Sequence, residues 1–344
     1  MFEAILTICL LAAGTDCRDA LLPGYEAATR EACDMALAAT PPDPLPAGHA
    51  PSSPACKPVG AALDFTEVAP GIFVHLGQIA EPDRGNRGDM SNIGFIIGQR
   101  SVAVIDTGSA RWVGEAIWRA IRAHTNLPVS HVILTHMHPD HVFGASAFAG
   151  TGARIVGHAT LNRALADRQE NYRQSLAALL GPAFLGTASV VPDITVQDSL
   201  HIDLGNRVLD LRAWPIGHTG TDLTVLDRET AILFTGDLIF ERHLPALDGS
   251  LRGWQSVLTE LATLPATRIV PGHGGPVLDW PDGVAGMQRY LGVLERDTRA
   301  AIDNGQRLGD AVHDIAASEA PHWQLFEAFN PRNATVAYTE LEWE

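Results

Sequence analysis

From Ala62 onward the chain alternates short apolar runs with segments of helical spacing. Runs at Gly71–Leu76, Ile93–Ile97 and Val102–Ile105 are bounded by turn residues and predict buried strands. Ala110–Ala123 follows with Trp112, Val113, Ala116, Ile117 and Ala120 at helical spacing, which gives one apolar helix face. A strand at Val132–Leu134, a short helix starting near Asp140 and a strand at Ala153–Val156 complete a first half. A second half repeats the order, with strands at Val208–Ala213, Leu223–Leu226 and Ala231–Phe234, a helix at Leu251–Leu264 and a strand at Arg268–Val270. Two such halves fit two mixed sheets packed face to face with helices outside, although alternation alone also admits other α/β layouts. Leu161–Gly181 reads as a long polar helix between the halves, either a lid over a site or a solvated surface helix. The tail from Val284 to Glu344 is helical by pattern, with its aromatics read as packing anchors.

The start of the chain breaks this pattern. Residues 1–16 contain the apolar run Ala4–Ala13, too short to span a bilayer and of the length found in secretory leaders, with small residues at its end. Glu3 stands where such leaders carry a positive charge. Residues 17–40 form a small segment containing two cysteines, helical over Tyr25–Ala38. Residues 41–60 hold seven prolines between Pro41 and Pro58 and read as a semi-extended linker. Residues 61–344 form the main domain. All four cysteines, Cys9, Cys17, Cys33 and Cys56, precede that domain, which favours an oxidising, periplasmic or secreted location. With Cys9 removed alongside a leader, Cys17 and Cys33 are the expected disulfide and Cys56 has no assigned partner.

Charge narrows the partners. The chain carries 24 Lys plus Arg against 40 Asp plus Glu, a formal net charge of −16. No basic cluster is present in the sequence, so binding to nucleic acid through phosphate contacts is disfavoured. No integral membrane segment is expected in the mature protein, and a small molecule is the expected partner.

The chemistry concentrates in Thr135-His136-Met137-His138-Pro139-Asp140-His141. His136 and His138 leave a strand end on the same side, since side chains repeat every second residue there, and Asp140 and His141 open a helix over the same spot. Imidazoles and a carboxylate together suit a divalent ion such as zinc, and two such clusters suit two ions. His218, Asp237 and His273 each follow an apolar run, in Ile216–Gly220, Leu233–Asp237 and Ile269–Gly274. Asp106 ends another strand, in Val104–Gly108. Of the remaining histidines, His158 and His243 follow strand ends that could face the site.

In this order the motifs resemble the metallo-β-lactamase superfamily, whose pattern is H-x-H-x-D-H followed by His, Asp and His, over roughly residues 65 to 280. The resemblance implies an αββα sandwich with metals at one sheet edge. It places His136, His138 and His218 on one metal, Asp140, His141 and His273 on a second, and Asp237 between them. It also makes Asp106 a residue that orients ligand imidazoles through a hydrogen bond. The metals implied are two Zn²⁺, with Fe or Mn as other occupants. The implied reaction is hydrolysis, a metal-bridging hydroxide attacking an ester, thioester or related bond while Asp140 carries the nucleophile's proton. An aspartate at position 237 points to the branch that includes glyoxalase II. More loosely, the leader-like start, the cysteine-containing N-terminal segment, Met90–Phe95 and Tyr338–Glu344 taken together resemble the quinoprotein relay system zinc metallohydrolases, associated with periplasmic oxidation. Two alternatives accompany this reading: a mononuclear iron persulfide dioxygenase using His136, His218 and Asp237, and a non-catalytic metal-binding accessory protein.

Overall fold

The structure is a computed structural model that describes residues 1–10, 16–42, 49–275 and 277–344. Its first unit is a small sheet made of β1 (Phe2–Leu10), β2 (Cys17–Ala27), β3 (His49–Pro51) and β4 (Ala55–Pro58), with helix α1 (Arg30–Ala39) packed on it. The run expected as a leader is here β1, the central strand, with Ala4, Ile5, Leu6 and Ile8 buried. Residues 11–15, the rest of that stretch, lie outside the described residues. Glu3, out of place in a leader, is buried and accepts from the Arg119 guanidinium at 2.8 Å.

The expected Cys17–Cys33 disulfide is not formed. Cys9 pairs with Cys17, and Cys33 with Cys56. Strand register explains the first: β1 and β2 are antiparallel with Cys9 directly opposite Cys17, Cα atoms 4.1 Å apart. The second joins α1 to β4, whose Cys56 lies beside Ala4 of β1 in a small core shared with Cys33. The predicted helix over Tyr25–Ala38 begins later, because β2 runs to Ala27 and Thr29 caps α1 by accepting from the Ala32 amide. Part of the Pro-rich segment also pairs, as β3 and β4; residues 43–48 lie outside the described residues.

The main unit has two mixed sheets. One runs in the order β11-β10-β9-β8-β7-β6-β5, comprising β5 (Thr66–Ala69), β6 (Ile72–His75), β7 (Ile93–Ile97), β8 (Val102–Ile105), β9 (Val129–Ile133), β10 (Arg154–His158) and β11 (Ile194–Val196). The other runs β12 to β17 in sequence: Ser199–Asp203, Val208–Ala213, Leu223–Asp227, Ile232–Phe240, Arg268–His273 and Leu278–Asp279. Period-two alternation divides each strand between two cores. In β7 and β8, Ile93, Phe95, Val102 and Val104 face helix α2 (Arg111–His124), while Ile96, Ala103 and Ile105 face the second sheet. Gly94 is required at that seam, since a Cβ there would lie 2.2 Å from the Phe234 ring. The second sheet's outer face packs on α5 (Leu251–Leu261), α6 (Ala285–Asp303) and α8 (Phe326–Leu341), and the short α7 (Leu308–Ala311) precedes α8. The layers are therefore α/β/β/α, as the resemblance implied. Two further helices matter for the site: α3 (Pro139–Val142), right after β9, and α4 (Leu161–Leu180). Among the described residues no helix is long and apolar enough to cross a membrane.

Candidate metal centre

Strand ends, the loops after them and helix α3 bring the predicted ligands to one point. His136 and His138 follow β9, Asp140 and His141 lie in α3, His218 follows β13, Asp237 lies within β15 and His273 closes β16. Two groups result: His136, His138, His218 and Asp237, and Asp140, His141 and His273. In the first, His138 Nδ1 lies 3.1 Å from His136 Nε2 and 2.9 Å from His218 Nε2. In the second, His273 Nε2 lies 3.4 Å from His141 Nε2 and 3.2 Å from Asp140 Oδ2. Asp237 stands between them, with Oδ2 3.4 Å from His218 Nε2 and Oδ1 3.2 Å from His141 Nε2.

The outward-facing ring nitrogens decide what these contacts mean. His136 Nδ1 meets Thr135 Oγ1 at 3.0 Å, whose own proton goes to Asp106 Oδ2. His138 Nε2 meets Asp248 Oδ2 at 3.1 Å, and His218 Nδ1 meets the Ala246 carbonyl at 2.6 Å. His141 Nδ1 meets Asp106 Oδ2 at 2.8 Å, and His273 Nδ1 meets the Met90 carbonyl at 3.1 Å. All five acceptors oblige the outer nitrogen to carry the proton, so in each neutral ring the inner nitrogen presents a lone pair. In the first group, where these inner nitrogens lie 2.9 and 3.1 Å apart, such lone pairs repel unless a cation lies among them. With metal–nitrogen bonds of about 2.0–2.1 Å, tetrahedral ligand atoms sit roughly 3.4 Å apart. Asp237 Oδ1 is buried and accepts no hydrogen bond, which also fits a ligand to a cation. The donor set therefore fits divalent metal ions.

Electrostatics separates the two groups. Burial is the main cause holding the His136 imidazole down to about 4, and it holds His218 well below its usual value. Burial opposes charge on His273 too, but the Asp237 and Asp140 carboxylates outweigh it and raise that pKa to about 9. The same carboxylates, with Asp106, raise His141 well above its usual value against its burial.

Backbone close approaches make this geometry possible. Asp106 adopts φ 59°, a left-handed conformation that aspartate tolerates, and accepts from the Thr135 amide and hydroxyl as well as from His141. Gly272 passes Asp237 so closely that a Cβ would lie 2.1 Å from Oδ1. Asn92 holds the His273 loop, donating to the Pro271 and Gly274 carbonyls at 2.8 and 2.6 Å. The roles of Asn92 and Asp248 were not anticipated from sequence; each is an ordinary polar residue whose partner is remote in the chain.

A cleft of about 710 Å³ opens over the centre. Helix α4 contributes Tyr172, Leu176 and Leu179 to its lining, and α8 contributes Phe329, Arg332 and Val336. Of the two histidines singled out for substrate contact, His243 lines this cleft with its Nδ1–H donated to the Leu244 carbonyl. His158 instead contacts Thr160, outside the cleft lining.

The model of the Metallo-beta-lactamase superfamily matches residues 86–273, a span that contains every one of the clustered ligands. The chain belongs to this superfamily. It is 32% identical over 178 residues to a hydroxyacylglutathione hydrolase of Pseudomonas aeruginosa, covering 51% of this chain and 57% of that protein. It is 28% identical over 186 residues to the acyl-coenzyme A thioesterase MBLAC2 of Bos taurus, covering 48% and 62%. Among solved structures, a metallo-beta-lactamase from Pontibacter korlensis aligns with TM-score 0.55 at 20% identity, covering 67% of this chain and 99% of that one. As a superfamily member the chain is a metal-dependent hydrolase. Neither α4's cleft-facing half in its detail nor α8 is explained by the ligand motif: α8 begins beyond the matched residues.

Proposed function

We propose that the protein is a dinuclear zinc hydrolase that cleaves an ester or thioester of a small acyl substrate. His136, His138 and His218 would hold one ion and Asp140, His141 and His273 the other, with Asp237 between. The observation that carries this is the set of five imidazoles, each with its outer N–H committed to an acceptor and its inner nitrogen turned to the centre. Bound divalent ions would lower the pKa of water toward roughly 7 and polarise a scissile carbonyl. Asp140 lines the cleft, and its carboxylate is held ionised against burial by His141 and His273. It is thus placed to take and return a proton at the face of the centre open to substrate. The apolar side chains of α4 and α8 suit an acyl group. Arg332, exposed in the lining with its guanidinium 5.6 Å from the Phe329 ring, suits an anionic substituent.

The two disulfides support a site of action outside the cytoplasm. The looser resemblance extends the proposal to a role beside periplasmic quinoprotein oxidation. Elemental analysis of purified protein, run with acyl thioester and ester reporters, tests the whole reading. Two zinc ions per chain and metal-dependent hydrolysis are expected. One iron per chain with no hydrolysis of any reporter would overturn it.

A further inference from the structure

We infer that the C-terminal helix α8 positions the first group of metal ligands, and that Asn333 is the residue through which it does so. This rests on the reading that His138 and His218 hold a metal. Asn333 is 1% exposed, on the face of α8 toward the centre. Its Oδ1 accepts from the Leu247 amide at 2.9 Å and its Nδ2 donates to the Pro245 carbonyl at 2.7 Å. One side-chain amide thus ties both ends of Pro245-Ala246-Leu247 as a neighbouring strand would, in a stretch that has no regular structure of its own.

What that stretch holds gives the contact its meaning. The carbonyl between the tied ends, that of Ala246, takes the Nδ1–H of His218. The next residue after Leu247, Asp248, takes the Nε2–H of His138. The same short segment therefore sets the rotation of both rings whose inner nitrogens meet at 2.9 Å. Asn333 is itself fixed: its Nδ2 also donates to Tyr290 Oη at 2.8 Å, and that hydroxyl donates to Asn330 at 2.9 Å. Among the described residues no hydrogen bond from α8 reaches the supports of the other group: His141 rests on Asp106 and His273 on the Met90 carbonyl. Loss of Asn333 should therefore weaken one metal position and spare the other.

Competition titration of the metal-free full chain with Zn²⁺ and Co²⁺ tests this, with thermal unfolding of the same samples. Asn333→Leu is expected to weaken one of the two bound equivalents by up to about tenfold, short of the roughly tenfold to hundredfold cost of losing a ligand's own outer partner, because it loosens such partners without removing them. Asn333→Asp keeps the acceptor for the Leu247 amide and loses the donor to Pro245; it should show a smaller loss at the same position and carries the test if the leucine variant does not fold. Glu340→Gln serves as the structural control: on α8 as well, Glu340 accepts from Ser250 Oγ at 2.8 Å and the Leu251 amide at 2.7 Å. It should lower the unfolding temperature with both affinities within about twofold of the parent. Unchanged affinities in both Asn333 variants, or equal weakening of both positions, would overturn the inference while leaving the metal centre intact. A parent chain that binds no metal would instead overturn the centre itself.

Discussion

Asp106 joins the two groups of ligands through its Oδ2, which accepts from Thr135, the support of His136, and directly from His141. Asp106→Asn would replace one oxygen by an NH₂ that has only donors to face. An NH₂ in place of Oδ1 loses the Thr135 amide, one in place of Oδ2 loses both Thr135 Oγ1 and His141, and an NH₂ toward His141 would favour the tautomer whose inner nitrogen is protonated. The expected outcome is a tenfold to hundredfold loss of affinity at the second position, about the usual cost of such a partner, read by competition with a chelator; unaltered affinity would remove Asp106 from this role. Asp140 calls for a different test, because it both reaches the second group and lines the cleft. Asp140→Asn keeps an oxygen but neither the charge nor the capacity to carry a proton. Turnover of ester and thioester reporters should fall at least about a hundredfold, the lower range for a positioned proton carrier, with the first metal retained on elemental analysis. Near-normal turnover would exclude Asp140 from proton transfer.

The N-terminal sheet is the element with the fewest ties to the chemistry and the most covalent bracing. It docks on α2 through polar contacts: Arg18 to Glu115 at 2.7 Å, Glu3 to Arg119, and Glu26 to Trp118 Nε1 at 2.6 Å. Cys33–Cys56 closes a loop with a sequence separation of 23, for which loop entropy predicts about 3 kcal/mol. Cys33→Ser should lower the unfolding temperature and free one thiol at Cys56, with metal content unchanged. Thiol labelling and elemental analysis of the same sample check this, and loss of metal in the variant would show that the sheet supports the centre. Helix α4 is the contrasting element. Its Arg168 reaches Asp248, the partner of His138, and its Tyr172, Leu176 and Leu179 line the cleft. Of the two sequence readings of this helix, a cover over the site describes it better than a wholly solvated one.

Across the whole molecule the balance of buried charge sets how metal loss should depend on pH. The His273 pKa, raised to about 9, means that in the metal-free chain this ring is protonated at neutral pH. Metal must displace that proton, so affinity at the second position rises as pH approaches 9 and falls as pH drops below it. His136, lowered to about 4, stays neutral until much lower pH. Stepwise acidification should therefore release one equivalent of metal well before the other, as followed by dialysis and elemental analysis. Simultaneous release of both would contradict the asymmetry. The expected sandwich and most of its strands are present, β7, β8 and β13 with the predicted bounds. Elements whose limits depend on remote packing, such as β15 running on to Phe240, are longer than the apolar runs indicate.

The sequence by itself picked out the candidate ligands, the cluster from His136 to His141 as a local His-rich turn and His218, Asp237 and His273 through the family resemblance. It also determined the α/β class, because apolar alternation records which faces are buried, while the layered sandwich followed from the resemblance. Only the tertiary structure decided the cysteine pairing, which follows from the register of β1 with β2 and β4 rather than from spacing. It alone showed what fixes each imidazole. Asn333 lies 86 residues from the Leu247 amide it holds, and Asp248 lies 110 residues from His138. A hydrogen bond between such distant side chains leaves no periodic or compositional mark, because its energy depends on where the fold brings two groups and not on what surrounds either one in the chain.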